Sequence, residues 1–288
     1  MTKNQIKSVS VIGLGLIGTS LARALQAASL EQSQKLSISG YDNNFSVKEK
    51  KEILDYGIDR FETDFQFLCS SDLLLLAAPV EENIKVIKKI KRFLKPKTLV
   101  VDVSSTKVAI MEAAKELQIP FVGLHPIAGS EQRGYQNSNP AIFKGRPFIV
   151  CGDKKTLNQP KVKDLLKLIK GTGAKTLTMS PQEHDAVFAR VSHLPQLIST
   201  TLINFCEDDL ERAGAGFSDV TRLSGSAWSV WRDILTTNTE EVASSLDVFA
   251  DELKSLSKAV RGGEEEKLER LFERANKNHK KLQKLMPK

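Results

Sequence analysis

Near its N-terminus the chain reads Val9-Ser10-Val11-Ile12-Gly13-Leu14-Gly15-Leu16-Ile17-Gly18. The mainly apolar run Val9–Ile12 predicts a buried strand, and Thr19–Leu25 has the composition of a helix. Between them lie three glycines at the spacing GxGxxG. A strand, a glycine-rich turn and a helix in this order begin a βαβ unit, so an α/β fold with a parallel sheet is the first expectation.

Each glycine of this loop has its own expected task. Gly13 permits a tight turn, Gly15 lets the backbone approach a bound pyrophosphate, and Gly18 lets the helix pack closely on the strand. The helix N-terminus, at Leu16 and Ile17, then faces the phosphates with free N–H groups. We therefore predict a dinucleotide site at these five residues. A plain strand-to-helix turn is the alternative.

Two further segments are expected to border the same site. Asp42 ends the second candidate strand, where a carboxylate accepts hydrogen bonds from both hydroxyls of an adenine ribose. This favours NAD over NADP, because a carboxylate repels a 2′-phosphate. Ala78 and Pro79 end the most apolar strand and leave room for a nicotinamide. The alternatives are that Asp42 only caps a turn and that Pro79 only terminates a strand.

Short apolar runs alternate with helix-like segments through the first 180 residues or so, which predicts an N-terminal doubly wound, Rossmann-like parallel sheet domain. The candidate strands are Val9–Ile12, Leu36–Tyr41, Leu73–Ala77, Thr98–Val103, Phe121–Leu124, Phe148–Cys151 and Lys175–Met179. The strand pattern then ends, and Ser180-Pro181-Gln182-Glu183 has the residues of a helix start. We expect a dinucleotide-binding domain over 1–179 and an all-helical C-terminal domain over 180–288, for substrate binding and dimerisation.

An apolar stripe marks the C-terminal region. Its members recur every three or four positions, as on one face of a helix: Leu246, Phe249, Leu253, Leu256 and Val260. Such a stripe is buried either against the rest of its domain or against a second subunit. The sequence leaves both options open.

The composition excludes several classes of protein. Of the 288 residues, 41% are hydrophobic and 27% are charged, as in ordinary globular chains. No secretion signal is evident, and no segment approaches the ~20 apolar residues that span a bilayer, so we expect a cytoplasmic protein without membrane contact. The net charge of +7 is scattered, without a basic face or recognition helix for nucleic acid. The three cysteines have no metal-ligand spacing, and we expect no metal.

Polar residues that suit catalysis follow two of the candidate strands. Ser105 and Lys107 come after one strand, and His125 comes at the end of the next, so all three should emerge at one sheet edge, near the nicotinamide. Oxidation of an alcohol needs a base for the hydroxyl proton, and a histidine suits that role at neutral pH. We predict that His125 is this base. A structural histidine at a strand end is the alternative.

Together these motifs resemble the prephenate/arogenate dehydrogenase family. Besides the glycine loop they are Asp102–Lys107, His-Pro-Ile-Ala-Gly-Ser-Glu at 125–131, Ser180–Asp185, Val191–Pro195 and Gly216–Arg222. They occur in the family's order and span nearly the whole chain. The resemblance implies NAD-dependent oxidation of prephenate, a 4-hydroxycyclohexadienyl acid, with loss of its ring carboxylate as carbon dioxide, toward tyrosine. It also implies homodimers built from the helical domain.

The resemblance also implies roles for individual residues. His125 takes the hydroxyl proton, Ser105 hydrogen-bonds the hydroxyl and the histidine, and Arg222 holds a substrate carboxylate with a bidentate guanidinium. Glu131 and His193 match positions at the substrate. His184-Asp185 matches a further family pair, for which a structural role is the favoured interpretation.

Pro195 and Gln196 bear on the substrate. Pro195 removes a backbone donor from a long helix, and the resulting kink aims His193 at the cleft unless that histidine is simply buried at the break. Gln196 stands where many prephenate-preferring members have a second histidine. Because Gln carries no charge, arogenate remains open as a second substrate. The competing hypotheses are another NAD-dependent β-hydroxyacid dehydrogenase and an NAD-sensing DNA regulator.

Overall fold

The computed structural model describes residues 5–128 and 132–285. Its strands are β1 (Ser8–Ile12), β2 (Ser37–Tyr41), β3 (Arg60–Phe61), β4 (Leu73–Leu76), β5 (Leu99–Asp102), β6 (Phe121–Pro126), β7 (Pro147–Cys151) and β8 (Lys175–Met179). Within the described residues they form one sheet in the order β3-β2-β1-β4-β5-β6-β7-β8. All neighbouring strands are parallel except β6 and β7, which are antiparallel.

Helices cover both faces of this sheet. The α-helices of the described residues are α1 (Leu16–Glu31), α2 (Val47–Glu52), α3 (Phe65–Leu68), α4 (Val80–Ile90), α5 (Val108–Glu116), α6 (Lys154–Leu157), α7 (Pro160–Gly171), α8 (Pro181–Phe188), α9 (Leu194–Phe205), α10 (Ala215–Thr221), α11 (Trp228–Thr237), α12 (Thr239–Arg261) and α13 (Glu265–Leu285). In β4, Leu73 and Leu75 join the core that contains α1 and α7, while Leu74 and Leu76 join the core under α4 and α5. The four leucines are fully buried, as expected for a strand covered on both faces.

The predicted doubly wound domain is confirmed, and each candidate strand is present within one to two residues of its expected bounds. The pattern missed β3, because two residues are too short for an alternation to be visible. It also missed the antiparallel direction of β7. In its described part, the connection before β7 has only the short turns Tyr135–Asn137 and Pro140–Phe143, and lacks the crossover helix that a parallel pair needs.

The chain forms two compact units that divide between Thr239 and Glu240. The first contains the sheet and the helices through α11, and the second is built from α12 and α13. The change from strands to helices comes between Met179 and Pro181, although a domain boundary at that point stays a prediction. No helix in the described part of the chain is long and apolar enough to cross a membrane.

Three of the five residues in the apolar stripe of α12 are exposed. Leu246, Leu253 and Val260 are 36%, 51% and 60% exposed. The other two members, Phe249 and Leu256, are half-buried, so burial against the same domain and burial against a second subunit both stay open.

The strand order reverses between β1 and β4, which creates the crevice where ligands bind in such sheets. Gly13, directly after β1, has φ of +99°, a conformation that favours glycine. A Cβ on Gly13 would lie 2.5 Å from the backbone nitrogen of Ala78, and one on Gly18 would lie 2.1 Å from the carbonyl oxygen of Gly13. Both glycines are thus required by backbone packing across the reversal.

We expect Gly18→Ala to destabilise the fold, because its methyl group would overlap backbone that has little freedom to move. Overpacking of this kind costs about 1–3 kcal/mol in the free energy of unfolding, which urea denaturation would measure. Gly15→Ala is the matched control, since a Cβ there would meet no described atom within 4 Å. Equal stability of the two variants would contradict this account of the loop.

Candidate active site

The glycine loop has a place for a phosphate that the protein itself does not fill. Gly15 is the N-cap of α1, and no side chain caps that helix. Because a Cβ on Gly15 would point into open space, the packing of this chain does not require glycine there. A helix N-terminus with uncapped N–H groups, beside a backbone without a side chain, fits a pyrophosphate.

A cavity of about 650 Å³ opens from this loop along the carboxyl edge of the sheet. Of the predicted cofactor residues, it is lined by Gly13, Gly15, Asp42, Ala78 and Pro79. Leu16 and Ile17 begin the helix at the mouth of the loop, and Gly18 supports it from behind. The remainder of the lining comes from β1, β2, α3 and α4, and from residues next to these elements.

Asp42 is held in place by the backbone. Its carboxylate oxygens accept hydrogen bonds from the N–H groups of Leu14 and Asn44, each at 3.0 Å. One bond fixes the glycine loop to the end of β2, and the other shapes the turn that follows. Asp42 therefore caps a turn and also lines the cavity, the two positions that the sequence suggested. Each carboxylate oxygen has a second lone pair that could accept from a ribose.

The cofactor crevice is tied to the next loop by Asn83, a residue that no sequence motif singles out. This residue is fully buried on α4. Its Nδ2 donates to the carbonyl of Ala78 at 2.8 Å and to Oγ of Ser104 at 3.0 Å, and its Oδ1 accepts from the N–H of Ala78 at 3.2 Å. One amide thus fixes the spacing between the loop after β4 and the loop after β5.

Lys107 is not free to face a ligand. Its ammonium is fully buried and paired with the carboxylate of Asp102, which also accepts from the N–H of Ser104 at 2.9 Å. Removing one partner of such a pair leaves an uncompensated buried charge. Lys107 thus shapes the loop after β5, and its expected position near the nicotinamide stays a prediction.

His125, near the end of β6, is half-buried and hydrogen-bonded to a second histidine. Its Nδ1 lies 2.8 Å from Nε2 of His184, and Nδ1 of His184 lies 2.7 Å from Oδ1 of Asp185. Both of these partners are on α8 and buried. The carboxylate of Asp185 also accepts from the N–H groups of Lys107 and Val108, at the start of α5, at 2.8 and 2.9 Å.

The surroundings of His125 favour its neutral form. Burial lowers its pKa well below the ordinary 6.5, and the nearby His184, Lys107 and His193 lower it further. Burial also lowers the pKa of His184, although its hydrogen bond to Asp185 acts in the opposite direction. At neutral pH the ring of His125 is therefore uncharged and able to accept a proton.

Ser105 is placed differently from the expectation. It follows β5 and is half-buried, but among the described residues it makes no hydrogen bond to His125. The Nδ1 of the histidine is engaged by His184 instead. Orientation of the imidazole thus comes from α8, and a contact of Ser105 with the substrate hydroxyl stays a prediction.

The expected break at Pro195 is present as a π-helical segment, Ala189–His193, between α8 and α9. His193 is 1% exposed, packs edge-on against Trp231 and lies 3.4 Å, through Nδ1, from Nδ2 of Asn238. Burial lowers the pKa of His193 to about 4. The histidine is thus buried at the break, and its orientation toward the cleft stays a prediction.

Gln196 and Arg222 lie on neighbouring segments. The Nε2 of Gln196 donates to the carbonyl of Leu223 at 2.8 Å and to Oγ1 of Thr200 at 3.3 Å. Gln196 is 4% exposed, so this amide holds the backbone directly after Arg222, which is exposed. Glu131, predicted at the substrate, lies outside the described residues.

Comparison with known families agrees with this arrangement. A family model described as the nucleotide-binding domain of prephenate dehydrogenase matches residues 21–178, and one described as its dimerization domain matches residues 180–274. The chain belongs to the prephenate dehydrogenase family. It is accordingly an NAD-dependent oxidoreductase.

Both prephenate dehydrogenases and an arogenate dehydrogenase are similar to this chain. A prephenate dehydrogenase of Bacillus subtilis is 29% identical over 94% of this chain and 75% of its own length. The structure of prephenate dehydrogenase from Aquifex aeolicus, in complex with hydroxyphenyl propionate and NAD+, has 30% identity and a TM-score of 0.86 over 97% of this chain and 99% of that one. The structure of Synechocystis arogenate dehydrogenase has 25% identity and a TM-score of 0.83 over 96% and 99%.

Gly15→Ala should weaken NAD binding without altering the fold. The added methyl group would occupy the open space in front of α1 where the pyrophosphate must approach. We expect the Kd for NAD, measured by calorimetry, to rise about tenfold or more, which corresponds to ~1.4 kcal/mol. Unchanged affinity would show that the phosphates lie elsewhere.

The buried neutral His193 should make stability depend on pH. Its folded pKa of about 4 is below the ordinary 6.5, so the unfolded chain binds the proton first as the pH falls. The contribution of neutral His193 to the free energy of unfolding is complete above pH 6.5 and is lost as the pH falls toward 4. It amounts to up to about 3 kcal/mol in the free energy of unfolding.

Urea denaturation of the wild type and of His193→Gln between these pH values measures this effect. The variant should lose less stability on acidification, because the uncharged amide does not titrate. His279→Gln, at an exposed histidine, is the control and should follow the wild type. If the free energy of unfolding of His193→Gln fell with pH as steeply as that of the wild type, the low pKa assigned to His193 would be refuted.

Proposed function

We propose that this enzyme oxidises prephenate with NAD and releases the ring carboxylate as carbon dioxide, forming 4-hydroxyphenylpyruvate in tyrosine biosynthesis. One observation carries the proposal. His125 is an uncharged histidine at the carboxyl edge of the sheet, and His184 occupies its Nδ1, so the remaining ring nitrogen is left for a substrate hydroxyl. The membership of the family and the NAD-bound relative support it.

In the proposed reaction the ring hydroxyl loses its proton to Nε2 of His125. The glycine loop and Asp42 would hold NAD, which would supply the acceptor for the hydride on the ring carbon that carries this hydroxyl. The carbonyl that forms there draws electrons from the bond to the ring carboxylate, and departure of carbon dioxide completes an aromatic ring. The chain therefore has to place the hydroxyl, the ring and the carboxylates rather than supply a separate group for decarboxylation.

The substrate is an anion, and the proposed contacts reflect this. Arg222 holds a carboxylate through its guanidinium, and Ser105 and Glu131 contact the substrate near His125. His193 and Gln196 line the far part of the site. The net charge of +7 favours the approach of such a substrate.

We further propose a homodimer formed through the helical region. The matched family model is that of a dimerization domain, and the exposed apolar stripe of α12 has the character of a surface that a second copy covers. A cytoplasmic location stays a prediction.

Arogenate is the second candidate substrate, and the far part of the site favours its inclusion. It carries an ammonium where prephenate carries a keto group. Gln196 is uncharged, and His193, with a pKa of about 4, is uncharged at neutral pH. Neither residue would repel the ammonium, so these two positions are compatible with arogenate.

Purified protein incubated with each substrate and each nicotinamide cofactor tests the proposal. NADH formation, followed by absorbance, should be fastest with prephenate and NAD. Activity with NADP should be lower, because Asp42 lines the cavity and its carboxylate would repel a 2′-phosphate. Higher kcat/KM with arogenate would assign the second candidate. No turnover of either compound would refute the function.

A further inference from the structure

The hydrogen bonds behind His125 run through His184 and Asp185 and end at the N-terminus of α5. We propose that His184 and Asp185 are positioning residues, which fix the tautomer of His125 so that its Nε2 lone pair faces the substrate hydroxyl. This proposal rests on the proposed function in one respect, the use of His125 as the base. It assigns a task to a pair for which the sequence favoured a purely structural role.

The direction of each hydrogen bond follows from the far end of the chain. The carboxylate of Asp185 can only accept, and it already accepts from the backbone N–H groups of Lys107 and Val108. The Nδ1 of His184, 2.7 Å from the same carboxylate, must therefore donate.

The protonation of the reacting nitrogen of His125 follows from that of His184. A neutral imidazole with its proton on Nδ1 has a lone pair on Nε2, so Nε2 of His184 accepts. Its partner at 2.8 Å, Nδ1 of His125, must be the donor. The Nε2 of neutral His125 consequently carries no proton. An isolated imidazole has no such restriction, because both tautomers are open to it.

The start of α5 makes Asp185 a stable anchor. Its carboxylate meets the N-terminus of that helix, where the partial positive charge favours an anion. The backbone carbonyl of Asp185 also accepts from Nδ2 of Asn238 at 2.9 Å. Both ends of the residue are therefore fixed, and the carboxylate has one position from which to align His184.

Packing restricts the two rings as firmly as the hydrogen bonds do. The ring centroids of His125 and His184 are 5.0 Å apart, and the ring of Phe188 lies 4.9 Å from the first and 4.5 Å from the second. His184 is fully buried. A flip of its ring would bring a carbon atom to Asp185 in place of Nδ1, so burial and hydrogen bonding select the same orientation.

Substitutions of His184 separate the tautomer effect from packing. Gln at this position retains an oxygen that accepts from Nδ1 of His125, whereas Phe retains ring volume without an acceptor. We expect kcat to fall about tenfold to hundredfold in His184→Phe, and less in His184→Gln, while KM and the Kd for NAD change less than threefold.

The protonation state can be read without turnover. The chain has only four histidines, so ¹⁵N spectra of histidine-labelled protein can be assigned by single substitutions. In the wild type, near neutral pH, the proton of His125 should be on Nδ1. In His184→Phe it should be found partly or mainly on Nε2, and His184→Gln should resemble the wild type.

Asp185→Asn tests the far end of the chain. The amide leaves one acceptor oxygen for three donors, so we expect a fall in kcat of about tenfold or more. Glu183→Gln removes a carboxylate from an exposed position of the same helix and is the matched control, with wild-type kinetics expected. These two variants retain side-chain size and remain informative if His184→Phe fails to fold.

His125→Asn distinguishes failure of this proposal from failure of the proposed function. Full activity in His125→Asn would show that His125 is not the base, and would therefore overturn both the proposed function and the positioning role. Loss of activity there, combined with wild-type kcat in His184→Phe and Asp185→Asn, would overturn the positioning role alone. The positioning role would also be overturned if His184→Gln and His184→Phe lost equal activity while His125 kept its Nδ1 proton in both.

Discussion

The close approach of two backbone segments at the reversal of strand order is the constraint on which the site depends. Gly13 leaves β1 with a positive φ, against the backbone of Ala77 and Ala78, and Gly18 lies against Gly13. No side chain fits between these segments. The absence of Cβ atoms lets α1 begin close to the sheet, with its N-terminus directed along the crevice. Gly15, where packing would tolerate a side chain, leaves that N-terminus open to a phosphate.

From this crevice the structure passes to the reacting groups through buried polar contacts. Asn83 joins the loop after β4 to the loop after β5, and the pair of Asp102 and Lys107 shapes the second of these loops. The start of α5 then receives the carboxylate of Asp185. Each of these groups is buried and hydrogen-bonded, which makes the arrangement rigid and its members costly to replace singly. A site built this way can position the uncharged His125 as the base and needs no charged side chain for that role.

The glycine loop, the strands and the position of His125 could be predicted from sequence, because each is encoded by neighbours along the chain. The contact between His125 and His184 could not, since these residues are 59 positions apart and meet only when α8 packs beside the sheet. The anchoring role of Gln196 depends likewise on a carbonyl 27 positions away. Periodicity and motif spacing describe single elements, whereas these contacts depend on how elements pack. The direction of β7 was missed for a related reason, because strand patterns do not encode pairing.

The two backbone hydrogen bonds of Asp42 have a consequence for how cofactor preference could change. The carboxylate that we predict to bind the ribose also binds the N–H groups of Leu14 and Asn44. NADP binding would require removal of this carboxylate, because it repels a 2′-phosphate, and its removal leaves both donors without an acceptor and loosens the glycine loop itself. A shift toward NADP would therefore have to be accompanied by a new acceptor for the Leu14 N–H. In evolution or in engineering, recognition of the sugar and integrity of the loop are inherited together.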